Sequence, residues 1–80
     1  MINLRRYISP YNGKRYLLNK NTLEIHDLDK ETPFCKIDEI RPEHVYNCDS
    51  YEEAKIYAFM VLNTNDENGC HYCLPEKDNG

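Results

Sequence analysis

The alternation of apolar and polar residues is clearest in the first third of the chain. Residues 23–26 read Leu, Glu, Ile, His, a period of two that is typical of a half-buried strand. A second strand is predicted over 14–19, and the polar stretch 19–22 between them has the composition of a turn. Asn12-Gly13 is the preferred pair for a tight type I′ turn, so a weaker strand is predicted over 5–11. The pattern predicts two successive hairpins, of which the first spans 5–19.

A helical period replaces the alternation further along the chain. Ser50 followed by Glu53 forms a capping-box pattern, which predicts a helix beginning at Tyr51. We expect this helix to run from 51 to about 63 and to pack across the sheet. Its predicted core face has the i, i+3, i+4, i+7, i+8 spacing and consists of Ala54, Tyr57, Ala58, Val61 and Leu62.

Two shorter elements are predicted between the hairpins and this helix. Apolar residues at 34, 37 and 40 are compatible with two helical turns, which Arg41-Pro42 ends. Residues 44–48 have the pattern of a short strand. The chain is therefore predicted to be α+β, with a small antiparallel sheet, one main helix and a C-terminal turn.

The length of 80 residues predicts one domain over 1–80, with a frayed tail at 76–80. Domains this small often depend on a metal or a disulfide in addition to their core. No apolar run approaches the ~18 residues of a membrane span, and Met1–Arg6 lacks the apolar core of a signal peptide. We therefore expect a cytoplasmic protein whose four cysteines are reduced and available as ligands.

Charge divides the chain unevenly. Residues 1–20 contain five basic residues and no acid, whereas residues 21–80 contain five basic and fourteen acidic residues, a balance of −9. Two interpretations compete, a solvated hairpin and a surface that contacts nucleic-acid phosphates. The residues that would make the phosphate contacts are Arg5, Arg6, Lys14, Arg15 and Lys20.

The strongest chemical motif is the pair Cys70 and Cys73, which follows Gly69 and precedes Pro75. Two cysteines at this spacing supply half of the four ligands that a structural Zn²⁺ needs. A redox dithiol is an alternative, but that function is typical of a cysteine pair that opens a helix after a strand. The third interpretation is that the pair has no ligand role.

The other half of a zinc site is sought among the remaining cysteines and histidines. His26 ends a predicted strand and Cys35 opens the next helical segment, so the two flank one loop. Cys48 is the rival for the fourth position, and we favour His26 because a lone cysteine is commonly a small buried hydrophobe. His44 and His71 are more readily explained as surface residues.

The order of these motifs resembles the Ada-type metal-binding domain, here as a small stand-alone bacterial protein. The resemblance covers about residues 15–75 and implies a small α+β fold around one zinc. It also implies the ligands His26, Cys35, Cys70 and Cys73. The matching features are the turn 19–22, the strand ending at His26, Cys35, Val45-Tyr46, the capped stretch 50–54 and the Gly69-Cys70-x-x-Cys73-x-Pro75 end.

Two departures from that family bear on function. The gap between His26 and Cys35 is longer than the family's, which leaves Asp27 and Asp29 as alternative ligands. The family's DNA-repair member has a methyl-accepting cysteine at the position of His26. We therefore expect a non-catalytic, zinc-stabilised module that binds nucleic acid or a protein, with no small-molecule substrate. The alternatives are a metal-free protein-interaction domain and a self-alkylating thiolate.

Overall fold

The computed structural model describes Tyr7 and residues 11–77, and within these residues it contains one four-stranded sheet and one α-helix. The sheet has the order β3-β1-β2-β4, and the helix α1 packs against β1 and β3. The predicted α+β class with one main helix is confirmed. The elements are β1 (Tyr16–Asn19), β2 (Glu24–Asp27), β3 (Val45–Cys48), α1 (Tyr51–Met60) and β4 (Asn68–Gly69).

β1 is the central strand and pairs antiparallel with both β2 and β3. The predicted hairpin between β1 and β2 is present, and its turn is closed by the amide of Leu23, which donates to the Asn19 carbonyl at 2.7 Å. β4 lies parallel to β2, so the sheet is mixed where an antiparallel sheet was predicted. The reason is topological: α1 carries the chain across the sheet and returns it along the free edge of β2.

The predicted first hairpin takes a different form. Residues 5, 6 and 8–10 of its first strand lie outside the described part of the chain, and β3 occupies the edge of β1 with which that strand was expected to pair. Gly13 has φ +79°, but Asn12 does not have the positive φ that a type I′ turn requires. The side-chain oxygen of Asn47 instead accepts from the amide of Asn12 at 2.9 Å. A long-range side-chain contact therefore holds this turn.

The start of α1 follows the prediction closely. The Ser50 hydroxyl accepts from the Glu53 amide at 3.0 Å, and the Glu53 carboxylate accepts from the amide of Asp49, one residue before the expected cap. Ala54 and Ala58 are buried against the sheet. The helix ends at Met60, earlier than the predicted residue 63. Val61 lies beyond the helix end and is 56% exposed, so its assignment to the core face was wrong.

Short 3₁₀ helices replace the helix predicted over 34–40. Pro33–Cys35 and Ile37–Glu39 are separate because Lys36 between them has φ 55°, in the left-handed region. Ile37 is buried while Phe34 is exposed, so the apolar spacing does not mark one common face. None of the helices in the described residues is both long and apolar enough to cross a membrane.

Regular structure extends into the first two residues, 76 and 77, of the tail that was predicted to be frayed. Residues Pro75–Lys77 form a 3₁₀ helix, and the Lys77 amide donates to the Leu74 carbonyl at 3.0 Å. Residues 78–80 lie outside the described part. The core between the sheet and α1 continues into the buried cysteines, so the C-terminal turn is part of one packed unit. The fully buried aliphatic residues of this core include Leu17, Leu18, Ile25, Leu28 and Ala54.

Candidate metal centre

Four potential ligands converge from separate segments of the chain. His26 lies on β2, Cys35 ends the Pro33–Cys35 helix, Cys70 follows β4 and Cys73 lies in the turn after it. One donor atom from each lies within 4.8 Å of the others, and all four residues are buried. Cys35, at 8% exposure, is the nearest to solvent. The fold thus brings together the four residues that the sequence predicts as ligands.

Two of the distances between these donor atoms lie in the range expected around a single tetrahedral ion. The sulfurs of Cys35 and Cys70 are 3.6 Å apart, and the Cys73 sulfur is 3.7 Å from Nδ1 of His26. Ligands at about 2.0–2.3 Å from a tetrahedral ion lie roughly 3.3–3.8 Å from each other. One imidazole and three thiolates form a donor set that suits zinc in particular. The group is therefore suited to one metal ion.

The imidazole of His26 is oriented with one nitrogen toward the cluster and the other away from it. Nδ1 faces Cys73, whereas Nε2 lies 3.4 Å from a carboxylate oxygen of Glu24. Burial lowers the pKa of His26 to about 4, so the ring is neutral at neutral pH. The neutral tautomer with its proton on Nε2 would leave the Nδ1 lone pair directed into the cluster. This carboxylate–histidine arrangement is the usual support of a metal-bound histidine.

Backbone amides point at two of the sulfurs. The Asp27 amide donates to the Cys73 sulfur at 3.2 Å, and the amides of Tyr72 and Cys73 donate to the Cys70 sulfur. Burial nevertheless raises the pKa of both Cys70 and Cys73, because a thiolate in apolar surroundings is costly. A divalent cation supplies the missing compensation, since it binds the deprotonated sulfur. Without a metal the two thiols are therefore expected to stay protonated at neutral pH.

A close approach of the backbone explains why glycine precedes the cysteine pair. A Cβ atom on Gly69 would lie 2.8 Å from the Leu74 carbonyl oxygen and 2.5 Å from Cβ of Lys77. The turn itself is closed by the Leu74 amide, which donates to the Cys70 carbonyl at 2.9 Å. Gly69 therefore lets the segment after the cysteines fold back over β4.

The rival ligands lie elsewhere. Cys48 is buried at the end of β3, where its thiol lies 3.4 Å from the Ser50 carbonyl oxygen. His44 and His71 are not members of the cluster. Asp27 and Asp29 both face Arg15. Arg15 donates two hydrogen bonds of 2.9 and 2.8 Å to the Asp27 carboxylate, and its Nε lies 3.4 Å from a carboxylate oxygen of Asp29.

The basic residues considered for phosphate contacts are partly engaged within the chain. Lys14 pairs with Asp49 at 2.8 Å, and Arg15 is held by Asp27. The ammonium of Lys20 lies 5.9 Å from the ring centroid of Tyr57. Arg5 and Arg6 lie outside the described residues. Binding of nucleic acid stays a prediction.

Sequence reasoning missed the residues that support the cluster. Glu24 stands two positions before His26 on a strand, so both side chains are on one face, and this spacing was a usable signal. Thr32, whose hydroxyl is 3.6 Å from the Cys35 sulfur, carried no comparable signal. The pairing of Arg15 with Asp27 depends on the register of β1 and β2, which the sequence does not specify.

Comparison of the chain with protein-family models, with curated proteins and with solved structures found no match. No family is therefore assigned. What the molecule shows by itself is a small α+β chain with a buried group of one histidine and three cysteines that is suited to one metal ion.

Proposed function

We propose that this chain is a small binding module stabilised by one structural zinc ion. The zinc ligands would be His26, Cys35, Cys70 and Cys73. The observation that supports this most directly is the convergence of their four buried donor atoms within 4.8 Å. The order of motifs along the chain supports an Ada-like arrangement of the same ligands.

The number of protein ligands, four, favours a structural over a catalytic role for the zinc. Four protein ligands fill the tetrahedral shell of zinc and leave no position for water or substrate. A catalytic zinc usually has three protein ligands and an open fourth site. The residue at the first ligand position is His26, which cannot accept a methyl group in the way that a zinc-bound thiolate does. The module would therefore stabilise a surface that binds a partner.

Metal content in matched cysteine variants tests the proposal. We expect freshly purified wild-type protein to contain one zinc per chain by elemental analysis, and Cys35→Ser to contain much less. Cys48→Ser is the control, because Cys48 is also buried but lies outside the cluster. It should retain the full zinc content of the wild type.

Two results would overturn the proposal. One is wild-type protein that carries no zinc and keeps its near-ultraviolet circular dichroism in the presence of a chelator. The other is a Cys48→Ser variant that loses metal as completely as Cys35→Ser does. The first result would favour the metal-free interaction domain, in which the cysteines are core residues. The second would contradict the proposed ligand set, because Cys48 lies outside the cluster.

A further inference from the structure

A hollow opens beside the metal cluster and reaches only part of it. Its volume is about 370 Å³, and Cys35 and His26 line it whereas Cys70 and Cys73 do not. Cys35 is also the most exposed of the three cluster cysteines, at 8% against 1% for Cys70 and 0% for Cys73. A small reagent that enters the hollow from solvent therefore meets Cys35 before either of the other two cysteines.

A second sulfur lies close to that of Cys35 on the buried side. The sulfurs of Cys35 and Cys70 are 3.6 Å apart. The sulfurs of a disulfide are about 2.05 Å apart, so the two would have to approach by about 1.5 Å. Cys35 ends a 3₁₀ helix of three residues, and Cys70 follows the two-residue strand β4. Neither sulfur is carried by a long regular element, so the approach needs only local movement.

An aromatic contact joins the two segments that carry these sulfurs. Phe34 directly precedes Cys35, and Tyr72 lies in the turn that Cys70 opens. The two rings stack with their centroids 5.4 Å apart, and both line the hollow. This contact involves no candidate ligand. It therefore holds the Cys35 segment against the C-terminal turn independently of a metal.

We propose that Cys35 is a site of oxidation by hydroperoxides, and that the product is a disulfide between Cys35 and Cys70. The proposal rests on the proposed zinc site, because a cysteine that binds zinc does so as the thiolate, which is the form that attacks a peroxide. It concerns a different pair from the redox dithiol considered for Cys70 and Cys73. The oxidised pair joins the Pro33–Cys35 helix to the C-terminal turn.

The reaction has two steps. The Cys35 thiolate attacks one peroxide oxygen, the O–O bond breaks, and the leaving oxygen takes a proton and departs as an alcohol or water. Cys35 is then a sulfenic acid. The Cys70 thiolate attacks the Cys35 sulfur, the S–S bond forms, and the sulfenic oxygen takes a proton and leaves as water. The two thiolates together lose two electrons, and the peroxide gains them.

Oxidation should also release the metal. The disulfide consumes two of the four candidate ligands and leaves only His26 and Cys73. Two protein ligands are half of the set that a structural zinc needs. Hydroperoxide would therefore convert the zinc-loaded chain into a metal-free, cross-linked one.

Peroxide treatment of the zinc-loaded full chain tests the proposal. Zinc per chain is measured first, hydrogen peroxide is then added, and the released zinc is followed with a chromophoric chelator. Remaining thiols are alkylated, and peptide mass spectrometry locates the disulfide. We expect one zinc released for each Cys35–Cys70 disulfide formed, and zinc should bind again after reduction with dithiothreitol.

A ligand exchange at Cys35 identifies the sulfur that reacts first. Cys35→His removes this sulfur but supplies an imidazole, which zinc also accepts. We expect peroxide to release zinc from Cys35→His at least about tenfold more slowly than from the wild type, because the remaining sulfurs do not line the hollow. Cys48→Ser is the control, since it removes a buried cysteine outside the cluster, and it should release zinc at the wild-type rate. The wild-type disulfide map decides by itself if Cys35→His binds no zinc.

Three results would each overturn the proposal. One is a wild-type map in which the main disulfide joins any other pair, such as Cys70 with Cys73. Another is zinc release with no disulfide at all. The third is a zinc-loaded Cys35→His protein that loses its metal as fast as the wild type. A wild type that holds no zinc before peroxide is added would instead overturn the proposed function on which this inference rests, so the first measurement separates the two failures.

Discussion

At the scale of single residues, the four predicted ligands depend on neighbours that bind no metal themselves. A carboxylate oxygen of Glu24 lies 3.4 Å from Nε2 of His26, on the side opposite the cluster, where it is placed to orient the ring. Backbone amides supply hydrogen bonds to the sulfurs of Cys70 and Cys73. The ligand positions are visible in the sequence because cysteine and histidine are rare. Their supporting residues are common types and become visible only in three dimensions.

Replacing Glu24 tests whether this orientation matters for the metal. We expect Glu24→Gln to lower zinc affinity about tenfold, because a charged partner makes the bound imidazole a better donor. A competition titration against a chromophoric chelator measures the change. Glu39→Gln is the control, since it makes the same charge change on an exposed residue of the Ile37–Glu39 helix. Equal affinities in the two variants would contradict the role assigned to Glu24.

Cys48 lies outside the cluster, so a metal bound there would not stabilise its thiolate. Burial raises the pKa of Cys48 from the ordinary 9.0 to about 12. At pH 8 only about one thiol in ten thousand is ionised, so we expect almost no modification of Cys48 in the folded protein. Because the pKa is raised, the rate of modification should keep rising about tenfold per pH unit beyond pH 9.

Maleimide labelling followed by peptide mass spectrometry measures this rate between pH 7 and pH 9.5. The chelated, guanidinium-denatured chain is the reference, and its labelling rate should rise by clearly less than tenfold per pH unit above pH 9. The same weak pH dependence of Cys48 labelling in the folded protein would show that burial does not raise the pKa of this thiol.

At the scale of elements, an ion pair joins the start of β1 to the end of β2, the strand that carries His26. Arg15, just before β1, makes two hydrogen bonds to the carboxylate of Asp27 at the end of β2. That carboxylate is 1% exposed, while the Arg15 side chain is 39% exposed. The Asp27 amide in turn donates to the Cys73 sulfur. The pair therefore fixes the end of β2 on which the C-terminal turn rests.

Removing the cation should be costly because it leaves a buried carboxylate with few partners. We expect Arg15→Ala to lower the free energy of unfolding by about 2–3 kcal/mol, less than for a wholly buried pair because Arg15 is partly in water. Urea unfolding of the zinc-loaded protein measures it. Lys14→Ala is the matched control: its pair with Asp49 is exposed, so no measurable change is expected. Similar losses in both variants would contradict the assignment.

The elements that sequence reasoning predicted well are those with local causes. The capped start of α1 follows from the hydrogen bond between Ser50 and Glu53, three residues apart. The hairpin of β1 and β2 follows from alternation around a polar turn. The segment 34–40 was mispredicted because Lys36 adopts φ 55°, a conformation that no local signal requires of lysine. The parallel pairing of β4 was missed because it joins residues far apart in the chain.

At the scale of the whole molecule, the metal cluster and the helix stabilise different parts of the structure. α1 packs on β1 and β3, and none of the four candidate ligands belongs to these three elements. The ligands come from β2, a 3₁₀ helix and the C-terminal turn. The last two have few backbone hydrogen bonds, and β4 itself is only two residues long. Zinc is therefore expected to hold the half of the molecule that has the least regular structure.

Amide hydrogen exchange before and after chelation tests this division. We expect metal removal to accelerate exchange strongly in 28–40 and 68–77, because their short elements lose the ligand contacts that join them. Exchange in β1, β3 and α1 should change much less, since their packing involves no ligand. The Cys48→Ser protein is treated in parallel and should show the same pattern. Uniform acceleration over the described residues would mean that zinc stabilises the whole fold as one cooperative unit. An unchanged exchange profile would mean that the cluster contributes no stability through a metal at all.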